Sequence, residues 1–464
     1  MSEQSRLLPP NRPADIETNG DPGFERLEPN DKYKDIASYF FPLGWVSFGG
    51  PQAHVALAHR RLVDEAKWID EQLFIELFAL ANALPGPSST QLMSAIGAVK
   101  GGLLGGLLAF TLFQLPGFLA MMLFGYIVRT SDSDTDNSLA AVILQLFTRI
   151  SAGLIAAAFA QVALASYTIS TKACENDTTR WGLNLASTII ASLISPEVSS
   201  WVFPLMMVVG GITTLAKAIQ RRNNAGTTGN ASASAAGLTT EEHNKTDDEL
   251  MEHSIRQNMG IALLIIFVVV TLLVVGLKSS SLFGVDQLYY QLFDVFWRIG
   301  CAIFGGGQVV LPMIYNEVVA RGWLSEDVFL YGFALVQCMP GPMFNLGTFV
   351  GTVMLGVPGA LLASLGLFGP GIILIFGLLP FWTRFRQSRD VKAFLSGVNS
   401  VAAGLINAAL YLFLQKSLPN AAAYSISVLA GVLTVVYKFP APLTILIGGF
   451  IGYCLRSLGI GGPY

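Results

Sequence analysis

Two related stretches decide the fold of this chain: ALANALPGPSSTQ at residues 79–91 and ALVQCMPGPMFN at residues 334–345. In each stretch an apolar helical run meets two prolines that flank a glycine. Because proline has no backbone N–H to donate, an α-helix cannot continue through such a triplet. The sequence therefore predicts one broken helix in each half of the chain. The helix breaks are Pro85, Gly86 and Pro87 in the first half and Pro340, Gly341 and Pro342 in the second.

The composition places both stretches in a membrane protein. Of the 464 residues, 52% are hydrophobic and only 13% are charged, whereas about a quarter of the residues of a soluble domain are charged. Runs such as 260–275 are apolar on every side, which fits membrane-spanning helices and not the alternating strands of a β-barrel. We therefore expect an all-α integral membrane protein. Its apolar segments are 36–48, 72–98, 101–128, 139–167, 182–195, 198–217, 259–277, 287–304, 327–353, 357–381, 394–416, 421–437 and 441–456.

These segments form two sets of six with one extra helix between them, which gives 12–13 transmembrane or re-entrant helices. One polar stretch precedes the first set and another joins the two sets. Neither can bury enough apolar area to fold alone. The expected domains are a polar cytoplasmic tail (1–34), a first six-segment repeat (35–217), a flexible cytoplasmic linker (218–257), a connecting transmembrane helix (258–278) and a second, inverted repeat (279–464).

Identities between the two sets of six reveal an internal repeat. Phe48-Gly49-Gly50-Pro51-Gln52 matches Phe304-Gly305-Gly306-Gly307-Gln308, and Pro116-Gly117 matches Pro370-Gly371. A Pro-Gly-Pro triplet follows 17 residues after each of Trp68 and Trp323. If every segment spans the membrane, the second copy begins seven crossings after the first. Because seven is odd, the second copy has the opposite orientation in the membrane. With the N-terminus in the cytoplasm, most basic clusters lie inside and the acidic run 132–136 lies outside, as the positive-inside rule requires.

The residues that follow the first break suit a negatively charged ligand. Beyond Pro87 a half-helix begins, and its free N–H groups and positive dipole end favour anions. Secondary transporters of inverted-repeat design place their substrate at such breaks, although a kink that serves only packing is the alternative. The predicted substrate-binding residues at the two breaks are Gly86, Ser88, Ser89, Thr90, Gln91, Gly341 and Asn345.

The Phe-Gly-Gly motifs predict a second pair of helix starts. Gly50 can act as the N-cap, Pro51 fits the first helical position and Gln52 lies just inside the helix. Gly50, Gln52, Gly306 and Gln308 are therefore further candidates for substrate binding. Close helix packing through glycine explains the same motif equally well.

Two helix ends offset about one unit of charge, so a divalent oxyanion needs a cation or many more donors. Arg298 and Arg149 lie inside apolar segments and are the candidates for balancing its charge. Asp294, four residues before Arg298, is spaced to pair with it on a helix. Glu76, nine residues before Pro85, is the candidate for proton coupling, because burial favours the protonated carboxyl; a hydrogen-bonded wall residue is the alternative.

Other chemistry finds no support in the sequence. The net charge of −3 suggests no nucleic-acid partner, and the four cysteines have no CxxC spacing. His54 and His59 have no cysteine or acid at ligand spacing, so we expect no metal site and no cofactor. Nucleotide-binding and nucleophile motifs are missing as well. We expect a protein that is not an enzyme, embedded in the lipid bilayer of a plasma membrane, with a homodimer left open.

The paired motifs resemble those of the chromate ion transporter family in its long, two-domain form. The resemblance covers about residues 36–217 and 287–456. It implies a membrane protein with antiparallel halves that moves chromate, commonly outward so as to confer resistance, with sulfate as the related oxyanion and proton coupling or anion exchange as the driving force. The second copy departs from the symmetric pattern at Gly307 and at residues 343–345. A passive oxyanion channel, and a sulfate or other small-anion carrier that takes chromate adventitiously, remain alternatives.

Overall fold

Every element of regular secondary structure in the described part of the chain is a helix. A computed structural model describes residues 29–48, 50–131, 139–175, 177–193, 196–226, 255–277, 287–303, 310–382 and 388–458. The first half contains α1 (Pro29–Val46), α2 (Gly50–Ala58), α3 (Glu71–Ala83), α4 (Ser88–Ser131), α5 (Leu139–Cys174), α6 (Thr178–Leu193) and α7 (Pro196–Gly226). After α8 (Gln257–Leu277) come α9 (Gln287–Ala302), α10 (Val310–Ala320), α11 (Glu326–Cys338), α12 (Leu346–Leu378), α13 (Arg389–Ser417), α14 (Ala421–Val435) and α15 (Ala441–Ser457).

Helix α4 is a hairpin of two arms. A straight helix of its 44 residues would be about 66 Å long, roughly twice the thickness of a bilayer's hydrocarbon core. Gly101 and Gly102 leave the helical conformation, with φ/ψ of −135°/18° and 67°/−165°. The arm 88–100 folds back on the arm 103–131, since a Cβ at Gly97 would lie 2.5 Å from the Cβ of Ala109. The first half-helix therefore enters the protein and returns.

Helix α12 repeats this hairpin in the second half. Its bend is Gly356, whose φ/ψ of 68°/−151° is a region that only glycine adopts readily. The two arms are joined by a hydrogen bond of 2.7 Å between the hydroxyl oxygens of Thr348 and Ser364. Both bends coincide with the boundaries of the apolar segments in the sequence, at 98/101 and 353/357. Each half thus has one short arm directly after its Pro-Gly-Pro break.

The helix contacts of the first half have counterparts in the second half. Helix α1 packs on α4 as α9 packs on α12, and α4 and α12 pack on each other. Helix α5 contacts α14 and α15, and its counterpart α13 contacts α6 and α7. Two copies related by a two-fold axis would make these contacts. The orientation of each copy in the bilayer stays a prediction.

The outer surface of the protein is apolar. Among the described residues, four stretches are long and apolar enough to cross a membrane: Ser88–Ser131, Gln145–Cys174, Gln257–Val274 and Met343–Phe381. Large apolar side chains are exposed around the molecule, among them Leu123, Leu205, Leu272, Leu365 and Phe450. A water-soluble monomer does not expose so much apolar surface. The predicted fold class, an all-α multi-pass membrane protein, is confirmed.

Some helix boundaries differ from the expected segments. Helices α2 and α10 lie in stretches that the apolar segments leave out, because both are short and carry polar side chains. Helix α7 continues to Gly226, past residue 217 where the linker was expected to begin. Most of the predicted tail and linker, the acidic run 132–136 and the second Phe-Gly-Gly motif lie outside the described residues.

A substitution of Gly356 tests the bend of α12. A Cβ there would meet no atom within 4 Å, so replacement by alanine strains only the backbone. We expect Gly356→Ala to lower the free energy of unfolding by about 1–3 kcal/mol. The measurement is thermal or denaturant unfolding of the purified protein in detergent.

Gly431→Ala in α14 is the matched control, since its Cβ would also meet nothing within 4 Å and its backbone is helical. Alanine in a helix should be neutral there or stabilise by about 0.5–1 kcal/mol. Equal stability of the two variants would contradict the strained bend.

Candidate functional site

Both Pro-Gly-Pro segments interrupt helices in the way that the sequence predicts. In the first half, α3 ends at Ala83 and α4 begins at Ser88; in the second, α11 ends at Cys338 and a 3-10 turn, Met343–Asn345, leads into α12. The central glycines Gly86 and Gly341 have φ of +123° and +90°. Only glycine adopts these values without strain.

Each break is hydrogen-bonded to the opposite half of the chain. The N–H of Gly86 donates to the carbonyl of Ile303, and the N–H of Gly341 donates to the carbonyl of Ser47, both at 2.7 Å. Ser47 and Ile303 directly precede the two Phe-Gly-Gly motifs. The two bonds are counterparts of each other, and they hold both breaks at the interface of the halves.

Glycines allow the backbones of the halves to touch at the same place. A Cβ at Gly86 would lie 2.9 Å from the Cα of Gly371, and a Cβ at Gly117 would lie 2.5 Å from the carbonyl oxygen of Pro340. These are the Pro-Gly pairs that the repeat matched in sequence. A side chain at Gly371 or Gly117 would push the neighbouring break away from the opposite half.

The residues after the first break are buried. Ser88, Ser89, Thr90 and Gln91 expose 7%, 2%, 0% and 0% of their surface. The amide nitrogen Nε2 of Gln91 donates to the carbonyls of Pro85 and Gly371, both at 3.0 Å. Both amide hydrogens of Gln91 are therefore used to brace the break, and they are not free for a ligand.

Several buried polar atoms beside the breaks have no hydrogen-bond partner. Among the described residues they include Thr90 Oγ1, Gln91 Oε1, Gln337 Nε2 and Asn345 Nδ2. Thr90 and Asn345 occupy matching positions, three residues after the second proline of each triplet. A buried donor without a partner costs roughly 1–3 kcal/mol, so each such group needs an explanation. A ligand that accepts hydrogen bonds would provide one.

The Phe-Gly-Gly motif of the first half lies beside this region. Gly50 begins α2 with φ of +79°, and a Cβ there would meet nothing within 4 Å. The backbone of Gln52 lies in α2, whereas its side chain, and the whole of Gly306 and Gln308, lie outside the described part of the chain. The substrate role of these four residues stays a prediction.

His54 in α2 is a residue that the sequence analysis considered only as a metal ligand. It is 1% exposed, its Nδ1 lies 3.3 Å from the hydroxyl oxygen of Ser89, and its Nε2 lies 3.1 Å from the carbonyl oxygen of Ser47. The nine-residue α2 is too short to span a membrane, and burial lowers the pKa of His54 to about 4. In the sequence, the only indication of a functional role for His54 was its position four residues after Gly50, at the start of a predicted helix.

The two candidate arginines lie in different surroundings. Arg298 makes two hydrogen bonds to Asp294, of 2.9 and 2.8 Å, and its Nη1 lies 3.7 Å from Glu317 Oε1. Asp294 and Glu317 are 5% and 6% exposed, so Arg298 is already compensated by two carboxylates. Arg149 is exposed on α5, while the residues after the breaks are buried. Glu76 is half-buried in α3.

The Asp294–Arg298 pair offers a test of stability. Asp294→Asn removes one charge of a buried pair, and we expect a loss of about 3–5 kcal/mol in the free energy of unfolding. The double variant Asp294→Leu/Arg298→Met should recover most of it, since Glu317 keeps its hydrogen bonds from Arg321, of 2.9 and 2.6 Å, and no unpaired charge remains. Denaturant unfolding in detergent measures both.

Glu65→Gln is the control, because the pair of Glu65 with Arg60 is exposed, with 39% and 74% of the side chains accessible. Its effect should stay within about 1 kcal/mol. An Asp294→Asn variant as stable as the unsubstituted protein would contradict the buried-pair interpretation.

A multi-pass helical protein with two broken helices and unpaired polar groups beside the breaks is organised as a membrane transport protein. The model of the family described as "Chromate transporter" matches residues 34–283 and 290–453. The chain belongs to this family.

Relatives agree with this assignment over most of their length. The chain is 26% identical over 442 residues to the "Probable chromate transport protein" of Synechococcus elongatus, covering 93% of this chain and 98% of the relative. It is 27% identical over 428 residues to the "Chromate transport protein" of Pseudomonas aeruginosa, covering 91% of each. The protein of that name from Cupriavidus metallidurans is 24% identical over 398 residues, with 85% and 86% covered. No solved structure matches the chain.

Proposed function

We propose that this protein transports a tetrahedral oxyanion, chromate and also sulfate, by a secondary alternating-access mechanism, and that outward movement of chromate confers resistance. Family membership and the names of the relatives support chromate transport. Sulfate has the same charge and a similar shape, so donors that fit one ion serve the other. The outward direction comes from the resemblance noted in the sequence.

The single observation that carries the proposal is the matched pair of unpaired polar groups at Thr90 and Asn345. The hydroxyl of Thr90 and the amide nitrogen of Asn345 can each donate a hydrogen bond. Both follow a break at the positive end of a half-helix, where backbone N–H groups also lack helical partners. An oxyanion that reached both groups would accept from both halves at once.

Burial of the breaks favours alternating access over a passive channel. Thr90 and Asn345 are 0% and 1% exposed, and each break is bonded to the opposite half. An anion can reach these groups only if the halves separate on one side. Hinged half-helices, bent at Gly102 and Gly356, fit such a motion.

The charge of a dianion requires more than these donors. Helix ends supply about half a unit charge each, and hydrogen bonds from neutral groups add to this. Arg298 remains our candidate for the balancing cation, on the condition that its contacts with Asp294 and Glu317 open during the cycle. The double variant Asp294→Leu/Arg298→Met tests this role: transport lost while stability is kept would support it.

Two substitutions test the site. Thr90→Val keeps the shape of the side chain and removes the hydroxyl, and Asn345→Asp replaces the donor by a negative charge. A hydrogen bond to a charged group contributes about 1.5–3 kcal/mol, so we expect Thr90→Val to weaken chromate affinity by roughly 10- to 150-fold. Asn345→Asp should abolish saturable uptake. Uptake of radiolabelled chromate into proteoliposomes, with sulfate, molybdate and phosphate as competitors, measures both.

Thr111→Val in the same helix is the matched control. The hydroxyl of Thr111 donates to the carbonyl of Leu107 on an exposed face of α4, so its loss should leave uptake unchanged. Wild-type kinetics in Thr90→Val and Asn345→Asp would overturn the assignment of the site. Sulfate that fails to compete would remove sulfate from the proposal.

A counterflow experiment separates a carrier from a channel. Proteoliposomes loaded with unlabelled chromate should take up external labelled chromate faster than empty ones, because a loaded carrier returns with substrate. A passive channel gives no such stimulation. Absence of counterflow together with saturable flux would therefore contradict alternating access.

A further inference from the structure

We propose that His54 is the proton-binding residue that couples proton movement to the oxyanion, protonated while the anion is bound and neutral while the site is empty. This inference rests on the proposed function and deepens it. From the sequence, Glu76 is the candidate for proton coupling. The structure instead places a buried histidine in direct contact with a residue beside the break.

The contacts of His54 define its hydrogen positions. The Ser47 carbonyl can only accept, so the hydrogen of the neutral ring lies on Nε2 and donates across the 3.1 Å contact. The lone pair of Nδ1 then accepts from the hydroxyl of Ser89 across 3.3 Å. In this state the hydroxyl hydrogen of Ser89 points to the ring and is not available to an anion.

His54 is linked to both breaks. Ser89 lies one residue before Thr90, in the first turn of the half-helix after Pro87. The Ser47 carbonyl that binds His54 also accepts the N–H of Gly341 at 2.7 Å. A change of charge on the ring is therefore felt at the half-helix of one copy and at the break of the other.

Protonation would change what Ser89 can do. A proton from water on the open side adds to the lone pair of Nδ1, which becomes a donor to the oxygen of Ser89. The hydroxyl hydrogen of Ser89 is then released from the ring and can be donated to an oxyanion at the half-helix start. When the anion leaves, the proton returns to water on the other side. One proton thus moves with each anion, and no bond of the anion changes.

Only neutral groups contact His54 in the part of the chain that the structure describes. The hydroxyl of Ser89 and the ring of Phe113 face it from α4, and the carbonyl of Ser47 faces it from the end of α1. On its own helix and the following turn, charged groups pair among themselves: His59 with Asp64, and Arg60 and Arg61 with Glu65. The charged residues of α1 and α4 are Asp31, Lys32, Lys34, Asp35, Lys100 and Arg129.

These more distant charges lie far along their helices. Lys100 is eleven residues after Ser89, and Asp35 is twelve residues before Ser47, which corresponds to roughly 16–18 Å along a helix. Burial without a charged partner keeps the imidazole neutral. The arrival of an anion near Ser89 is then the event that favours the imidazolium, since an opposite charge close by stabilises the charged form.

The test compares His54→Gln with the unsubstituted protein in proteoliposomes whose membrane potential is clamped. Glutamine can donate to the Ser47 carbonyl and accept from Ser89, but it cannot take up a proton. A gradient of one pH unit, acidic outside, should raise chromate accumulation in wild type. In His54→Gln the factor by which accumulation rises should be about tenfold smaller. Saturable uptake at equal pH on both sides should persist with weaker chromate affinity, because Ser89 stays hydrogen-bonded to the glutamine. The pH gradient also changes the protonation of chromate itself, but it does so equally for every variant. The difference in accumulation between the variants therefore reports the contribution of His54.

His59→Gln is the matched control, because His59 faces Asp64 and the ring of Phe74 and should keep the wild-type response. An unchanged pH response of His54→Gln, or its loss in Glu76→Gln instead, would overturn the inference. So would wild-type uptake that ignores the gradient, although the proposed function would then stand. If the wild-type protein shows no saturable chromate uptake at all, the proposed function itself fails.

Discussion

The structure depends on a shortage of backbone donors at two points. Each Pro-Gly-Pro triplet removes two N–H groups from a buried helix and leaves a glycine N–H that the helix cannot satisfy. Gly86 and Gly341 find their acceptors in the opposite half, at Ile303 and Ser47. The breaks can be buried only where the halves meet, and the glycines around them allow that approach. Neither half could bury its break alone.

The sequence predicted the features that follow from local chemistry. Prolines predicted the breaks, and the boundaries of the apolar segments coincided with the bends at Gly102 and Gly356, since glycine disfavours helix wherever it lies. The four-residue spacing predicted the Asp294–Arg298 contact. Features that depend on distant residues were missed. Glu317 joins the ion pair from α10, and His54 meets Ser89 across 35 positions, which no local pattern encodes.

The candidate site shows the same limit in its chemistry. Residue types indicated that Ser88 to Gln91 could donate hydrogen bonds, and the second copy departs from that pattern at residues 343–345. The structure shows that Gln91 already donates to Pro85 and Gly371, whereas Asn345 in the less polar copy has an unpaired amide nitrogen. A sequence reveals which groups can donate; only packing determines which of them are already engaged. The role of each residue toward a substrate stays a prediction.

Helix α8 has no counterpart in the repeat that the sequence predicts. It packs mainly on α12 and leaves side chains such as Ile265 and Leu272 exposed on the outer surface. If each copy crosses the membrane an even number of times, an odd number of connecting crossings is needed to insert the second copy in the opposite orientation. In the predicted inverted arrangement, α8 would supply the crossing that lets one continuous chain carry both copies.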